Sequence, residues 1–381
     1  MNKVAIINRT NFKNYGSVLQ CYALCCAVEK LGFESEIVWE EGNISKNFDF
    51  RPNKIISSVW KLVTHPSLIS STMTNVSDLS SRVISEKTVA LFDEFVSSEV
   101  KQKKFPHREL VRRARSDEYA KFICGSDQIW CSTTLYVDPL MYLRFSPREK
   151  RIAYAPSIGR DFIPDYNKRR MKKYISDIPH LSVRETEGAR LINELTGMTA
   201  KVVLDPTLLH TRTDWNTIKA DMIVNDKYIL CYFLDSPSEK TQEKIAELAK
   251  SRGVGIIALV SKLDVCEKMG VEVSYPDCGP REFLAYVEKT ELTVTDSYHG
   301  MLFSIIYGKD FWSVERAYRQ YDQSSRQKTV LSMLSLENRY LSAEGDFEFS
   351  DDKIDYTAVE TTLANRREES LSFLQRALSD N

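Results

Sequence analysis

Short apolar runs alternate with polar loops along most of the chain. Lys3-Val4-Ala5-Ile6-Ile7 suits a buried parallel strand, and Asn8 to Gly16, rich in Asn, Thr and Gly, reads as a loop. Ser17 is placed to cap a helix reaching Leu31, with Val18, Leu19, Tyr22, Cys25, Cys26 and Val28 along one stripe. Gly32 stops that helix and Ser35 to Trp39 starts a second strand, which makes a βαβ unit. Further strands are expected at 119–124, 150–155 and 180–183, each ending in a polar loop. A second series follows, with strands at 227–234, 254–260, 292–295 and 310–314 and helices at 239–252, 280–288 and 299–307. Leu363, Leu371, Phe373, Leu374 and Leu378 mark a C-terminal amphipathic helix.

At roughly 150 residues per domain, 381 residues fit two. The expected division is 1–195, with an irregular helical insertion at about 42–118, and 196–381. A composition 43% hydrophobic and 28% charged excludes disordered and fibrous classes. The 52 basic and 53 acidic residues leave a net charge of −1, so no global field draws the chain to nucleic acid, and none is expected as a partner. No apolar run approaches the ~20 residues of a membrane span, and Val4 to Ile7 is too short for a secretory leader. Eight cysteines without Cys-x-x-Cys spacing read as reduced core thiols, so the expected location is cytoplasmic.

One helical face gathers Ile55, Ile56, Val59, Trp60, Leu62 and Val63, flanked by Arg51, Lys54 and Lys61. It suits packing on its own domain or peripheral contact with the cytoplasmic face of the inner membrane. The basic stretch from Lys101 to Lys121, broken by Glu109, Asp117 and Glu118, reads as a solvated face.

Candidate chemistry sits in the loops at strand ends. Thr295-Asp296-Ser297-Tyr298-His299-Gly300 joins a strand to a helix, so His299 stands near a positive helix N-terminus where a proton and an anion can both be handled. A turn histidine bonded to its neighbours is the plainer alternative. Arg184, just after a strand, can grip a phosphate or carboxylate, or pair with Glu185 or Glu187. In Gly125-Ser126-Asp127-Gln128-Ile129-Trp130, Asp127 can accept a proton or bind sugar hydroxyls. Trp130 offers a stacking face, though such residues are more often core. Asn14, Tyr15 and Gly16 form a loop that is neither a dinucleotide fingerprint nor a P-loop. Ser325-Arg326 is a further anion-site candidate. No metal-ligand cluster and no GxSxG elbow is present in the sequence, so no metal and no cofactor is expected.

Taken in order, five segments resemble the polysaccharide pyruvyl transferase family: residues 14–20, 125–130, 182–185, 205–209 and 296–300, with Ser325-Arg326 matching its closing segment. Tyr298 stands where Leu or Phe is commoner, and Cys131 where Asn often follows the tryptophan. The resemblance implies an α/β fold of two Rossmann-like domains facing across a cleft, glycosyltransferase-B-like. It implies a ketal pyruvyltransferase of capsular, exopolysaccharide or cell-envelope glycan biosynthesis. Phosphoenolpyruvate is then the co-substrate, and a sugar, galactose-type or similar and lipid-linked, nucleotide-linked or polymeric, is the acceptor. On that basis His299, Asp127 and Arg184 are the expected catalytic residues. Arg184, Ser297, Gly300, Ser325 and Arg326 would bind the donor anion, and Asn14, Tyr15, Gly16, Gln128 and Trp130 the acceptor. A nucleotide-sugar glycosyltransferase on the same frame, or a non-catalytic glycan- or lipid-binding partner, would share many of these features.

Overall fold

A computed structural model describes residues 3–8, 13–41, 44–45, 48–49, 52–66, 68, 84–224, 226–316, 324–343 and 347–380. The first half runs β1 (Lys3–Ile7), α1 (Tyr15–Lys30), β2 (Glu34–Glu41), β3 (Ile44–Ser45), β4 (Phe48–Asp49), α2 (Pro52–Thr64), α3 (Glu86–Glu99), β5 (Gln102–Pro106) and α4 (His107–Arg115). It continues with β6 (Lys121–Cys124), β7 (Arg151–Ala153), α5 (Asp165–Ile175), β8 (His180–Val183), α6 (Thr186–Thr196) and β9 (Lys201–Val202). The second half holds α7 (Arg212–Asn216), β10 (Tyr228–Tyr232), α8 (Glu239–Arg252), β11 (Gly255–Leu259), α9 (Asp264–Lys268), β12 (Val273–Ser274) and α10 (Pro280–Lys289). After these come β13 (Leu292–Thr295), α11 (Tyr298–Ile306), β14 (Asp310–Val314), α12 (Ser325–Met333), β15 (Tyr340–Leu341) and α13 (Tyr356–Ser379).

All but β3 and β4, which pair antiparallel with each other, form two parallel sheets, ordered β5-β2-β1-β6-β7-β8-β9 and β12-β11-β10-β13-β14-β15. The fold is thus the expected α/β pair of Rossmann-like units, glycosyltransferase-B-like. Strand order reverses between β1 and β6 in the first sheet and between β10 and β13 in the second. Open α/β sheets form a crevice at such reversals, beyond the carboxyl ends of the strands. The four strands at the reversals are buried almost throughout, as strands covered on both faces must be. The first sheet extends past residue 195 to Val202, and the change of sheet falls between Val202 and Tyr228.

The N-cap of α1 lies three residues before the expected one: it is Asn14, not Ser17, its Oδ1 accepting from Ser17 N at 3.0 Å. Nor is α1 one-sided. Small and apolar residues surround it, and most of its side chains are buried in a core shared by both halves. Tyr15, in its first turn, stacks on Phe283 of α10 with centroids 4.8 Å apart, and its hydroxyl donates to Cys278 O at 3.0 Å.

The described part of the insertion is tied into both halves. Its α3, capped by Ser85, packs across to α10, where Cys278 N donates to Thr88 Oγ1 at 3.1 Å and Arg281 pairs with Glu99. Its β5 is the edge of the first sheet, Ile37–Glu41 of β2 pairing with Gln102–Pro106. The start of the basic stretch is therefore a strand and not merely a solvated face. Lysines at an exposed edge discourage pairing with another chain, which is why the segment carries charge instead of strand-forming side chains.

Helix α13 returns from the second half to the first. Ser370 Oγ accepts from Leu204 N at 3.0 Å, and Arg367 Nε donates to Leu208 O at 3.0 Å. Leu374 is fully buried in the shared core. Leu374→Ala is expected to cost about 2–5 kcal/mol, the usual range for a buried leucine. Urea unfolding of the variant beside the parent measures it.

Candidate active site

The two crevices face each other and bring their strand-end loops together. From the first half come Gly16 and Ser17 of α1, Asp127 after β6, Arg184 and Glu185 after β8, and Asp205 after β9. The second half supplies Tyr298 and His299 at the start of α11, and Arg326 from α12.

Arg184 and Asp205 form the centre. Arg184 Nη1 donates to Asp205 Oδ2 at 2.7 Å, and neither side chain is more than 1% exposed. Asp205 Oδ1 accepts from Thr207 N at 3.0 Å and from Thr207 Oγ1 at 2.8 Å. His299 Nε2 lies 3.5 Å from Asp205 Oδ2, so the same carboxylate oxygen faces both Arg184 and His299. Opposite, Asp127 Oδ1 lies 3.6 Å from Arg184 Nη2, while its Oδ2 accepts from Ser17 Oγ at 3.2 Å. Arg184 Nε and Nη2 are buried without a hydrogen-bond partner among the described residues. The Tyr298 ring stands between two guanidiniums, Arg184 Cζ 4.5 Å and Arg326 Cζ 5.6 Å from its centroid.

Burial alone would push both carboxyls up. In Asp205 it is outweighed by His299, Arg184 and the Thr207 N–H, which hold the group well below the usual carboxylate range. In Asp127 burial is outweighed by Arg184, His299 and Arg326, so it too titrates below its ordinary value. Burial likewise opposes the Arg184 charge, but Tyr298, Asp205 and Asp127 raise its pKa further. At neutral pH the site therefore holds two carboxylates and the guanidiniums around His299.

Local sequence explains the precision. Ser297 caps α11 by accepting from Gly300 N at 3.3 Å, and a Cβ on Gly300 would fall 2.5 Å from Thr295 Oγ1. A Cβ on Gly16 would lie 2.0 Å from His299 Nδ1, so the N-terminus of α1, a positive helix end, rests on the imidazole. Asp127 takes a positive φ of 68°, a conformation aspartate tolerates better than most residues. Glu185 Oε1 accepts from Ser157 Oγ at 3.0 Å and Ile158 N at 2.8 Å, tying the loop after β7 to the end of β8.

The structure thus gathers His299, Asp127, Arg184, Gly16 and Arg326 of the expected set. Ser297 and Gly300 shape the turn that presents His299, and Asn14 caps α1. Gln128 packs against Gly159 at the rim, where a Cβ would meet its Nε2 at 2.4 Å. Trp130 is fully buried, stacked on Tyr142 at 5.0 Å with its Nε1 donating to Met141 O at 2.9 Å. It is core and offers no open face to a sugar. Tyr15 is spent in the contact between the two halves described above. Asp296 faces away from His299. Its carboxylate accepts from Leu234 N at 2.6 Å and from Arg316 Nε at 3.1 Å, and burial, opposed by Arg316, pushes its pKa up.

Sequence reasoning assigned no chemistry to Asp205, Ser17 or Glu185. Asp205 opens one of the matching segments, and that was the available signal. Ser325 lines a cavity of about 660 Å³ whose wall includes Arg184, Tyr298, Asp205, Lys328 and Arg366. His299 and Asp127 are not in that lining. Among the described residues no group of His, Cys, Asp and Glu has the arrangement of a metal site.

Fold and site together define a two-sheet α/β protein whose cleft is built round a buried Arg–Asp–His cluster. The chain belongs to the polysaccharide pyruvyl transferase family, whose model matches residues 14–318; the family is one of transferases. No curated sequence matches the chain significantly. Among solved structures it is similar to the UDP-GlcNAc 2-epimerase of Neisseria meningitidis, with TM-score 0.48, 9% identity and coverage of 100% of this chain and 95% of that one. The corresponding epimerase of Methanocaldococcus jannaschii gives TM-score 0.45, 14% identity and coverage of 96% and 94%. MurG of Acinetobacter baumannii gives TM-score 0.46, 10% identity and coverage of 99% and 97%. The strand orders, not these distant likenesses, define the fold.

Asp205→Asn takes away the hydrogen-bonded counter-charge of buried Arg184 and leaves it only the more distant Asp127 carboxylate, which is expected to cost about 3–5 kcal/mol at neutral pH. Because the folded pKa of Asp205 is depressed, its stabilising contribution is present above the ordinary value of 3.8 and is lost as pH falls through the folded value. The gap between parent and variant should therefore be widest above that value and close in more acidic solution. Denaturant unfolding across pH checks this.

Proposed function

We propose that the protein transfers pyruvate from phosphoenolpyruvate to two hydroxyls of a sugar, forming a cyclic ketal in the biosynthesis of a capsular, extracellular or envelope glycan. The observation that carries the reading is Arg184. It is a buried guanidinium with two donor positions unspent, beside a histidine that shares its carboxylate. A donor bearing both phosphate and carboxylate meets such a guanidinium in bidentate fashion, and Arg326 adds a second cation nearby.

In the proposed reaction His299 gives a proton to the donor methylene. The electrons of the double bond form the new C–H bond and leave C2 cationic, stabilised by the phosphate ester oxygen. A sugar hydroxyl adds to C2 and loses its proton, with Asp127 as the acceptor in reach of the cleft. Phosphate then departs with the C–O electrons, taking up the proton held by Asp127, and a second hydroxyl adds to C2 to close the ring, its proton passing to the His299 nitrogen that gave one up in the first step. Asp205 orients the His299 ring and offers counter-charge to its protonated form. Arg184 balances charge on the leaving phosphate, and positioned side chains suffice for this stabilisation.

The test is phosphate release from phosphoenolpyruvate with and without a panel of galactosides, including lipid-pyrophosphate-linked ones. Products are weighed for one added pyruvate less water. Acceptor-dependent release with that mass gain supports ketal transfer. Phosphoenolpyruvate binding by the parent, lost in Arg184→Ala, supports the donor site. No binding by the parent, together with release of a nucleoside diphosphate, would move the assignment to a nucleotide-sugar glycosyltransferase.

His299→Ala should lower turnover by ~10²–10⁴, the usual worth of acid–base catalysis, in a protein with unchanged far-ultraviolet circular dichroism. Near-parental turnover there removes His299 from the chemistry. Gly16→Ala should lower turnover by ~10², because displacing the ring by about 1 Å misaligns the proton donor. Steady-state kinetics with the same donor measures both.

A further inference from the structure

Helix α2 is built inside out. Lys61, whose side chain is buried, and Ser57 face the protein. Lys61 Nζ donates to Asn167 Oδ1 at 2.5 Å and Thr134 O at 3.3 Å, and Ser57 Oγ donates to Leu135 O at 3.4 Å. At 100° per residue, Ile55, Ile56, Val59, Trp60 and Val63 then fall on the opposite arc. They are 45%, 66%, 54%, 59% and 72% exposed. A helix that spends its polar side on its own domain and presents isoleucine, valine and tryptophan to solvent has the pattern of an interfacial helix, not of a core helix.

Charge beside the helix narrows what covers it. Lys61 bonds into the N-terminal turn of α5, and the same helix exposes Lys168, Arg169, Arg170, Lys172 and Lys173. Asp165 is the one acidic residue of α5 and pairs with Lys168 at 2.7 Å. An apolar stripe flanked by a cationic helix complements a bilayer carrying anionic headgroups. A second copy of the chain meeting α2 about a two-fold axis would bring two such cationic helices together, which disfavours that occupant.

We propose that α2 and α5 form a docking surface for an anionic lipid bilayer, with the α2 side chains at the acyl boundary and the α5 cations at the headgroups. The loop bearing Thr134 and Leu135, on which α2 rests, follows β6 and carries Asp127 at its other end. A docked bilayer therefore lies on the Asp127 side of the cleft. The proposal is independent of the ketal chemistry.

The experiment is co-sedimentation of the full chain with phosphatidylglycerol–phosphatidylethanolamine vesicles and with neutral phosphatidylcholine vesicles. The expected result is binding to the anionic vesicles that weakens with salt. Trp60→Ser combined with Ile56→Ser should lose at least about tenfold in binding. Arg169→Glu should lose at least about fivefold, the worth of one surface cation. Phosphate release with a soluble acceptor should be unchanged in the Trp60→Ser, Ile56→Ser variant, which separates a failure of docking from a failure of the catalytic reading. Three results would overturn the proposal: a parent that stays in the supernatant at low salt, a doubly substituted variant that binds like the parent, or a lipid-free dimer that the same substitutions dissociate.

Discussion

The site depends on a buried ion pair. Taking the Arg184 guanidinium and the Asp205 carboxylate out of water costs several kcal/mol each, and their mutual attraction offsets this only where the geometry is tight and the remaining donors and acceptors are used. Asp205 meets that demand through Thr207 and Arg184, with His299 Nε2 a further 3.5 Å contact. Arg184 does not fully meet it, because two of its donor positions stay unspent. That imbalance is costly to the fold and leaves the guanidinium able to take a further acceptor. The pair also joins the end of β8 to the end of β9, so the electrostatics of the cleft and the edge of the first sheet rest on one contact.

The second support is α1. Its small and apolar residues let two layers approach it at once, which a one-sided amphipathic helix would forbid. The Tyr15 stack on Phe283, the Ser17 hydroxyl on Asp127 and the glycine against His299 all lie within its first turn. Asn14 as the cap places that turn. A helix capped by Ser17 instead would begin after all three contacts and leave them without a helical turn to hold them.

Much of the fold was legible because local signals agreed. Helix α8 matches its expected span, with Ser238 capping one end and Gly253 in the left-handed conformation at the other. Strands β13 and β14 also match, since their apolar runs end at clear turn residues. The edge strand β5 was missed because solvent exposure removes the apolar signature on which strand reading relies. Trp130 illustrates the reverse error: an aromatic beside a polar loop looks like a binding face until its partner Tyr142 is in view. The histidine and arginine of the site were legible from their places at strand ends. Asp205 was not, because its role comes from partners in other elements, which no local pattern reports.

The close approach of Gly16 to His299 also bears on motion. The imidazole belongs by backbone to the second half, yet its neighbour at Nδ1 and its carboxylate partner both belong to the first. A small rotation of one sheet relative to the other would loosen the fit at Gly16 and stretch the distance to Asp205 together. The alignment of the two halves is thereby written into the position of a single ring.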